Sequence, residues 1–256
     1  MTDVPAKDLP GGVAMPMLGF GTWQIQGDAA HRSVSYALQA GYRHIDTATM
    51  YGNEDQVGRA LAEASVPRDE VFVTTKLPPG NARRSRATLD ESLKALRTDH
   101  VDLWLIHWPP RGRTLVPLWR DFLAARDEGL ARAIGVSNFS IRQIDEITEA
   151  TGERPVVNQI PWSPHEYDQD LLDEHTERGI AVEGYSALKS TSLRDPVLTE
   201  IAERYDVTTA QVILRWHIDT GVIAIPKSTH QDRIDQNLDL FNFSLTSEEI
   251  SRINTL

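Results

Sequence analysis

Short runs of β-branched and apolar residues alternate along this chain with longer segments whose apolar positions recur at helical spacing. Eight candidate strands stand out, at residues 18–22, 44–47, 71–76, 101–107, 133–137, 156–159, 181–185 and 222–225. Runs such as Leu103-Trp104-Leu105-Ile106 show no polar alternation, which suits parallel strands covered on both faces. Helical segments lie between them. Leu89, Leu93 and Leu96 fall at i, i+4 and i+7, with Asn81 as the expected cap. Ser140 precedes Ile141, Ile144 and Ile147, and Asp168 precedes Leu171 and Leu172 with Gly179 as the stop. Thr208 or Thr209 opens a segment holding Val212, Ile213 and Trp216 that Gly221 closes, and Thr246 with Glu249 forms a Thr-x-x-Glu helix start.

Eight βα units in 256 residues describe an α/β fold, a (β/α)8 TIM barrel, as one domain over 1–256. The rival is an open doubly wound sheet, which carries a Gly-rich turn after its first strand. Here Gly19-Phe20-Gly21-Thr22-Trp23 lacks the third glycine. The stretch Asp8-Leu9-Pro10-Gly11-Gly12-Val13 reads as the turn of an N-terminal β-hairpin placed to plug the barrel floor. No linker, low-complexity run or repeat is visible.

Composition narrows the function classes. Against 26 Lys and Arg stand 37 Asp and Glu, a net charge of -11, so nucleic acid is a poor partner, though a few local cations can still hold a small anion. There is no cysteine, which excludes disulfides, thiolate catalysis and Cys-based zinc sites; no metal site is expected, and a cytoplasmic setting fits. The start Met1-Thr2-Asp3-Val4-Pro5 has no secretory pattern, and the run at 101–108 is far too short to span a bilayer, so no membrane association is expected. A monomer is the default expectation.

The spacing of polar residues carries the chemistry. Asp46, Lys76, His107 and Ser137 close four successive strands at intervals of 30, 31 and 30 residues. One βα unit takes about 30 residues. All four therefore sit on the C-terminal face, where barrels hold their sites. Any one alone reads as a surface ion pair or a packed side chain; together they point to a site. Tyr51 follows Asp46 by five residues and can fold over the same mouth. An unperturbed phenol has a pKa near ~10. The Lys76 ammonium is expected to lower it, Asp46 to hold Lys76, and His107 to bond a substrate oxygen. Such a group donates a proton to a carbonyl oxygen. It has no electrons to give, so a hydride donor is required.

The nine residues from Asp46 to Glu54, D-T-A-T-M-Y-G-N-E, resemble the signature of the aldo-keto reductases. Further stretches resemble the same family, in order: Thr75-Lys76-Leu77, Leu105-Ile106-His107-Trp108-Pro109, Ala133-Ile134-Gly135-Val136-Ser137-Asn138-Phe139, Asn158-Gln159 and Ile225-Pro226-Lys227-Ser228. The chain is most similar to bacterial members of the kind that includes 2,5-diketo-D-gluconate reductases. The resemblance implies NADPH/NADP+ extended over the barrel mouth and a small carbonyl substrate. It implies Tyr51 as acid, tuned by Asp46 and Lys76, with His107 orienting the carbonyl. It places Gly21, Thr22, Trp23 and Asp46 beside the cofactor. Ser137, Asn138 and Gln159 match positions at the nicotinamide carboxamide, and Tyr185 an aromatic stacked on the ring. Ser186, Leu188 and Lys189 fall at the pyrophosphate, where Ser186-Ala187-Leu188-Lys189 replaces a common S-P-L-G. Lys227, Ser228 and Arg233 match the 2′-phosphate pocket, two cations and a hydroxyl suited to that group. Asn237 matches an adenine contact, beside Gln236 in place of a common glutamate. Trp23, Tyr51, His107 and Trp108 are implied at the substrate.

Two departures bear on specificity. The loop from Trp108 to Arg113 is short, and the sequence stops at Leu256, where many relatives carry a further tail; both imply a shallow, open pocket with broad preference. Two other readings stay open: an NADPH-binding regulatory or structural barrel with vestigial turnover, and a phosphate-binding barrel of different chemistry. The intact Asp46, Tyr51, Lys76 and His107 set argues against the first, and the basic cluster's place within the reductase pattern against the second.

Overall fold

The computed structural model describes residues 4–110 and 114–256. A hairpin comes first, β1 (Ala6–Leu9) paired antiparallel with β2 (Val13–Pro16). Eight parallel strands follow: β3 (Phe20–Gly21), β4 (His44–Asp46), β5 (Phe72–Leu77), β6 (Val101–Ile106), β7 (Ala131–Ser137), β8 (Val157–Pro161), β9 (Ala181–Tyr185) and β10 (Ile223–Ala224). Each candidate strand is thus present within a few residues of its expected place. The helices are α1 (Gly27–Ala40), α2 (Glu54–Glu63), α3 (Ser85–Leu96), α4 (Leu115–Asp127), α5 (Ile141–Thr151), α6 (Gln169–Glu177), α7 (Pro196–Tyr205), α8 (Thr209–Asp219), α9 (Gln231–Leu238) and α10 (Ser247–Ile253).

The sheet closes where its shortest strands meet. Leu18 bridges Ala224, the Gly19 amide donates to the Ala224 carbonyl at 2.8 Å, and the Gly21 amide to that of Pro226 at 2.9 Å. A Cβ on Gly21 would lie 2.8 Å from the Ile225 carbonyl oxygen, so the seam requires glycine there.

Alternation along each strand sorts two cores. On β6, Trp104 and Ile106 face the helices, whereas Leu103 and Leu105 face the barrel interior with Phe72, Ala133, Val157, Ala181 and Ile223. Leu9 and Met15 of the hairpin join that interior cluster, so the hairpin plugs the floor as the sequence suggested. The floor is apolar and the mouth polar because each inward strand face changes composition on the way up: Phe72 gives way to Thr74 and Lys76, Val157 to Gln159, and Ala181 to Glu183.

Most expected caps are in place. Ser140, Thr208 and Thr246 form capping boxes with Gln143, Gln211 and Glu249, and Asp168 accepts from the Leu171 amide at 3.0 Å. Asn81 is the exception. Pro79 opens a 3-10 stretch (Pro79–Arg84), α3 begins only at Ser85, and the Asn81 side chain donates to Thr88 Oγ1 at 3.0 Å. The proline pair Pro78-Pro79 favours a tight turn before the helix, which displaces the start.

Candidate active site

The strand ends bring Asp46, Lys76, His107, Ser137, Gln159 and Tyr185 to one face of the barrel. Lys76 is fully buried, its Nζ 2.7 Å from each carboxylate oxygen of Asp46 and 2.8 Å from the Thr47 carbonyl. The same Nζ lies 3.3 Å from Tyr51 Oη. An ammonium has only hydrogens to give. Tyr51 Oη is therefore the acceptor in that contact, and its own hydrogen is left to point elsewhere. Burial pulls the Lys76 pKa down, but the charge of Asp46 and the contact with Tyr51 outweigh it and hold Lys76 above its ordinary value, as a cation.

Tyr51 arrives on a 3-10 turn (Thr49–Tyr51) that is tied down on several sides. Thr49 Oγ1 donates to the Lys76 carbonyl at 2.9 Å and lies 3.2 Å from Ser92 Oγ. Ser92 donates to Glu54 Oε2 at 3.1 Å, and Thr75 to Glu54 Oε1 at 2.6 Å. Gln26 Nε2 donates to the Tyr51 carbonyl at 2.7 Å. The turn that carries Tyr51 and the strand that carries Lys76 are thus locked together through α3.

The expectation that Lys76 lowers the Tyr51 pKa needs correction. Lys76 does pull it down, but burial pushes harder, Asp46 adds to the rise, and Tyr51 stands above its ordinary value. The structure thus holds Tyr51 as a protonated phenol at neutral pH.

His107 sits beside it, the two rings edge-on with centroids 5.7 Å apart. Burial first, then the Lys76 charge, lowers the His107 pKa to about 4. Its Nδ1 is buried and has no hydrogen-bond partner among the described residues. A neutral imidazole and a protonated phenol at one mouth can both serve a polar oxygen between them.

Ser137, Asn138, Gln159 and Tyr185 form a connected patch. Asn138 donates to the His107 carbonyl at 3.1 Å and to Ser137 Oγ at 2.9 Å, and accepts from Tyr185 Oη at 2.7 Å. Gln159 Nε2 donates to Asp46 Oδ2 at 2.9 Å and to Glu183 Oε2 at 2.7 Å. Left-handed backbone accumulates in the loops of this face: Gln24 (φ 61°), Asn138 (φ 63°) and Ser186 (φ 61°) all follow barrel strands. Such strain in non-glycine residues is typical of functional loops.

The remaining positions form a second group. Trp23 lies under two ammonium groups, Lys189 Nζ at 5.7 Å and Lys227 Nζ at 5.8 Å from its ring centre. The loops after β3, β9 and β10 meet there, and Leu188 of the β9 loop packs against the core. Thr22 is buried and donates to the Asp46 carbonyl at 2.9 Å. Ser228 is engaged with the start of α9, accepting from the His230 amide at 3.0 Å. Arg233 is exposed on α9 and Asn237 buried on it; no hydrogen bond or ion pair joins Arg233 to Lys227. Trp23 and Trp108, in the loops after β3 and β6, are 44% and 46% exposed. Of the loop 108–113 expected to be short, residues 111–113 lie outside the described residues.

Sequence reasoning passed over Glu183, His44 and Ser92, and gave Glu54, the last residue of the signature, no role of its own. Glu183 had a signal: a carboxylate inside the apolar run Ala181-Val182-Glu183-Gly184-Tyr185, two residues before Tyr185 and so on the same face. Ser92 had none, because its partner Glu54 is 38 residues away and only the packing of α3 joins them.

A parallel barrel with this Asp, Lys, Tyr and His cluster at its mouth defines a barrel oxidoreductase. The model of the Aldo/keto reductase family matches residues 17–256, and the chain belongs to that family. It is 40% identical to methylglyoxal reductase DkgA of Yersinia pestis over 260 residues, covering 100% of this chain and 94% of that one. The crystal structure of an aldo/keto reductase from Brucella melitensis superposes with a TM-score of 0.97 at 43% identity, over 100% of this chain and 98% of that one. A Bombyx mori aldo-keto reductase solved in complex with NADP gives a TM-score of 0.94 at 38% identity, over 100% and 93%.

Proposed function

We propose that this protein reduces aldehydes or ketones to alcohols with NADPH, and that Tyr51 supplies the proton. The observation that carries the reading is the Lys76 Nζ contact to Tyr51 Oη at 3.3 Å. It makes the phenol oxygen an acceptor on its inner side and turns its proton outward, beside a neutral His107. Lys76 remains charged, stabilises the phenolate left after transfer, and is held by Asp46. His107 donates from its ring N–H to the carbonyl oxygen and sets its direction. Trp23 and Trp108 provide apolar walls for a small carbonyl compound such as a dicarbonyl or a keto-sugar acid. The name of the Yersinia relative makes methylglyoxal the first compound to try.

The residues present fit the cofactor. NADPH supplies the hydride when bound. Gln159 commits its amide nitrogen to two carboxyl groups and leaves Oε1 without a hydrogen-bond partner among the described residues, an acceptor for a carboxamide. Lys189 and Lys227 gather over Trp23 with no carboxylate in contact among the described residues, a place for phosphate charge, and Arg233 with Ser228 would serve the 2′-phosphate. Ser137, Asn138 and Tyr185 would flank the nicotinamide, and Asn237 the adenine.

The test is NADPH consumption with methylglyoxal and a simple aldehyde, wild type against Tyr51→Phe. The expected loss is about 10²–10⁴-fold. Equal rates would remove Tyr51 from the chemistry. We infer a monomer: the exposed large apolar residues among the described ones, Trp23, Met50, Trp108 and Leu193, all lie in loops that follow barrel strands rather than on the outer helices; light scattering reads it directly. A cytoplasmic location accords with the lack of cysteine, and fractionation of expressing cells reads that. No helix among the described residues is long and apolar enough to cross a membrane.

A further inference from the structure

Beneath the mouth lies a carboxyl group that the proposed chemistry does not use. Glu183, on β9, is fully buried, and its Cα partner across the ladder is Gln159 on β8. The groups facing it are Asp46 and His44 on β4, Lys76 on β5, and Tyr51 above them. Asp46 takes Lys76 on both oxygens as well as one hydrogen of Gln159. Glu183 receives a single neutral hydrogen bond, from Gln159 Nε2 to Oε2 at 2.7 Å, and Oε1 has no hydrogen-bond partner among the described residues.

A buried carboxylate with one neutral donor and a second carboxylate nearby is strongly disfavoured against the neutral acid. Two carboxyls share one ammonium here, and Asp46 has claimed it. Because Oε2 accepts, the acid hydrogen belongs on Oε1. That oxygen faces His44 Nε2 at 3.5 Å. His44 Nδ1 lies 3.3 Å from the Pro16 carbonyl, which needs a hydrogen on Nδ1 and leaves the Nε2 lone pair toward Glu183 and Thr74. Burial lowers the His44 pKa to about 4, so the ring is neutral. Burial, with the charge of Asp46 adding, pushes Glu183 up to about 8.

We propose that Glu183 is a positioning residue: as a neutral acid it joins Asp46 in capturing both amide hydrogens of Gln159, fixing Gln159 Oε1 toward the mouth as the acceptor for the cofactor carboxamide. The part concerning the cofactor rests on the NADPH reading above; the protonation of Glu183 does not. When Glu183 ionises, a second carboxylate appears beside Asp46. That charge holds the Tyr51 proton more tightly and weakens proton transfer, so activity falls on the alkaline side.

Two measurements test this. Infrared spectra of the wild type without cofactor, titrated from pH 6 to pH 10, should show a protonated-carboxyl C=O band that disappears at alkaline pH and is absent in Glu183→Gln. A missing band in the wild type, or the same band in the variant, overturns the neutral acid whatever the enzyme reduces. Glu183→Gln keeps an acceptor for Gln159, so the NADPH Kd should stay within about twofold while the alkaline fall in kcat/KM shifts or vanishes. Glu183→Leu removes the acceptor, and the NADPH Kd should rise about tenfold or more. Unchanged NADPH affinity in a folded Glu183→Leu, or an unchanged alkaline limb in Glu183→Gln, overturns the positioning role. A wild type that oxidises no NADPH with any carbonyl tells against the reductase reading instead and leaves the infrared result standing.

Discussion

Lys76 donates to the phenol oxygen of Tyr51 across 3.3 Å, and so decides which way the tyrosine proton faces. The two residues lie 25 positions apart in the chain and on different elements. Their contact depends on a buried ion pair below and a pinned turn above, and each support can be removed separately.

Lys76→Met removes the one cation among the described residues in contact with Asp46, which stays buried with Gln159 as its remaining side-chain donor. Breaking a buried pair from one side costs about 3–5 kcal/mol. Urea unfolding at pH 7 should show a loss of that order, and turnover should fall with it. A loss under about 1 kcal/mol would mean that the charged pair is not formed.

Ser92→Ala touches neither Tyr51 nor a substrate, but it takes a donor from buried Glu54 and loosens Thr49. An unsatisfied buried acceptor costs about 1–3 kcal/mol. A misplacement of about 1 Å at a reacting group can cost on the order of 10²-fold. We expect kcat to fall on the order of tenfold with the NADPH Kd unchanged. A lowered melting temperature with normal kcat would make the network a scaffold only.

His107 should remain neutral across the working range, because its pKa is lowered to about 4. The folded imidazole then declines a proton that the unfolded one accepts near its ordinary value of about 6.5. Its contribution to stability is complete above pH 6.5 and is lost as the pH falls toward 4. Activity profiles from pH 5 to pH 8 should show no inflection near 6.5; one that disappears in His107→Gln would contradict the neutral ring.

Arg233→Ala should weaken NADPH about tenfold, the worth of one charge-assisted bond, and leave NADH unaffected. Fluorescence titration with both nucleotides decides it. An equal loss for the two would place Arg233 away from the 2′-phosphate.

Much of this was legible along the chain. The eight strands could be read because each is a short apolar run, and the intervals between Asp46, Lys76, His107 and Ser137 match one βα unit, so their common face follows from periodicity alone. The caps at Ser140, Asp168, Thr208 and Thr246 could be read because a cap is a local hydrogen bond within three residues. Asn81 was misread for the same reason in reverse: the turn dictated by Pro78 and Pro79 competes with a helix start, and local propensity does not say which prevails.

Other features needed the folded chain. The sequence places a lysine near Tyr51, but the direction of the tyrosine's pKa shift depends on how much water surrounds it, and burial is a property of the assembled barrel. The sequence shows Glu183 inside an apolar run but not that Asp46 has already taken the Lys76 ammonium. That allocation arises where β4, β5, β8 and β9 converge, between residues more than a hundred positions apart. The sequence by itself determined the fold, its mouth and which polar side chains close the strands there, because periodicity and spacing can be read along the chain. The tertiary structure decided protonation states and proton directions, because these depend on burial and on which partner reaches a charge first.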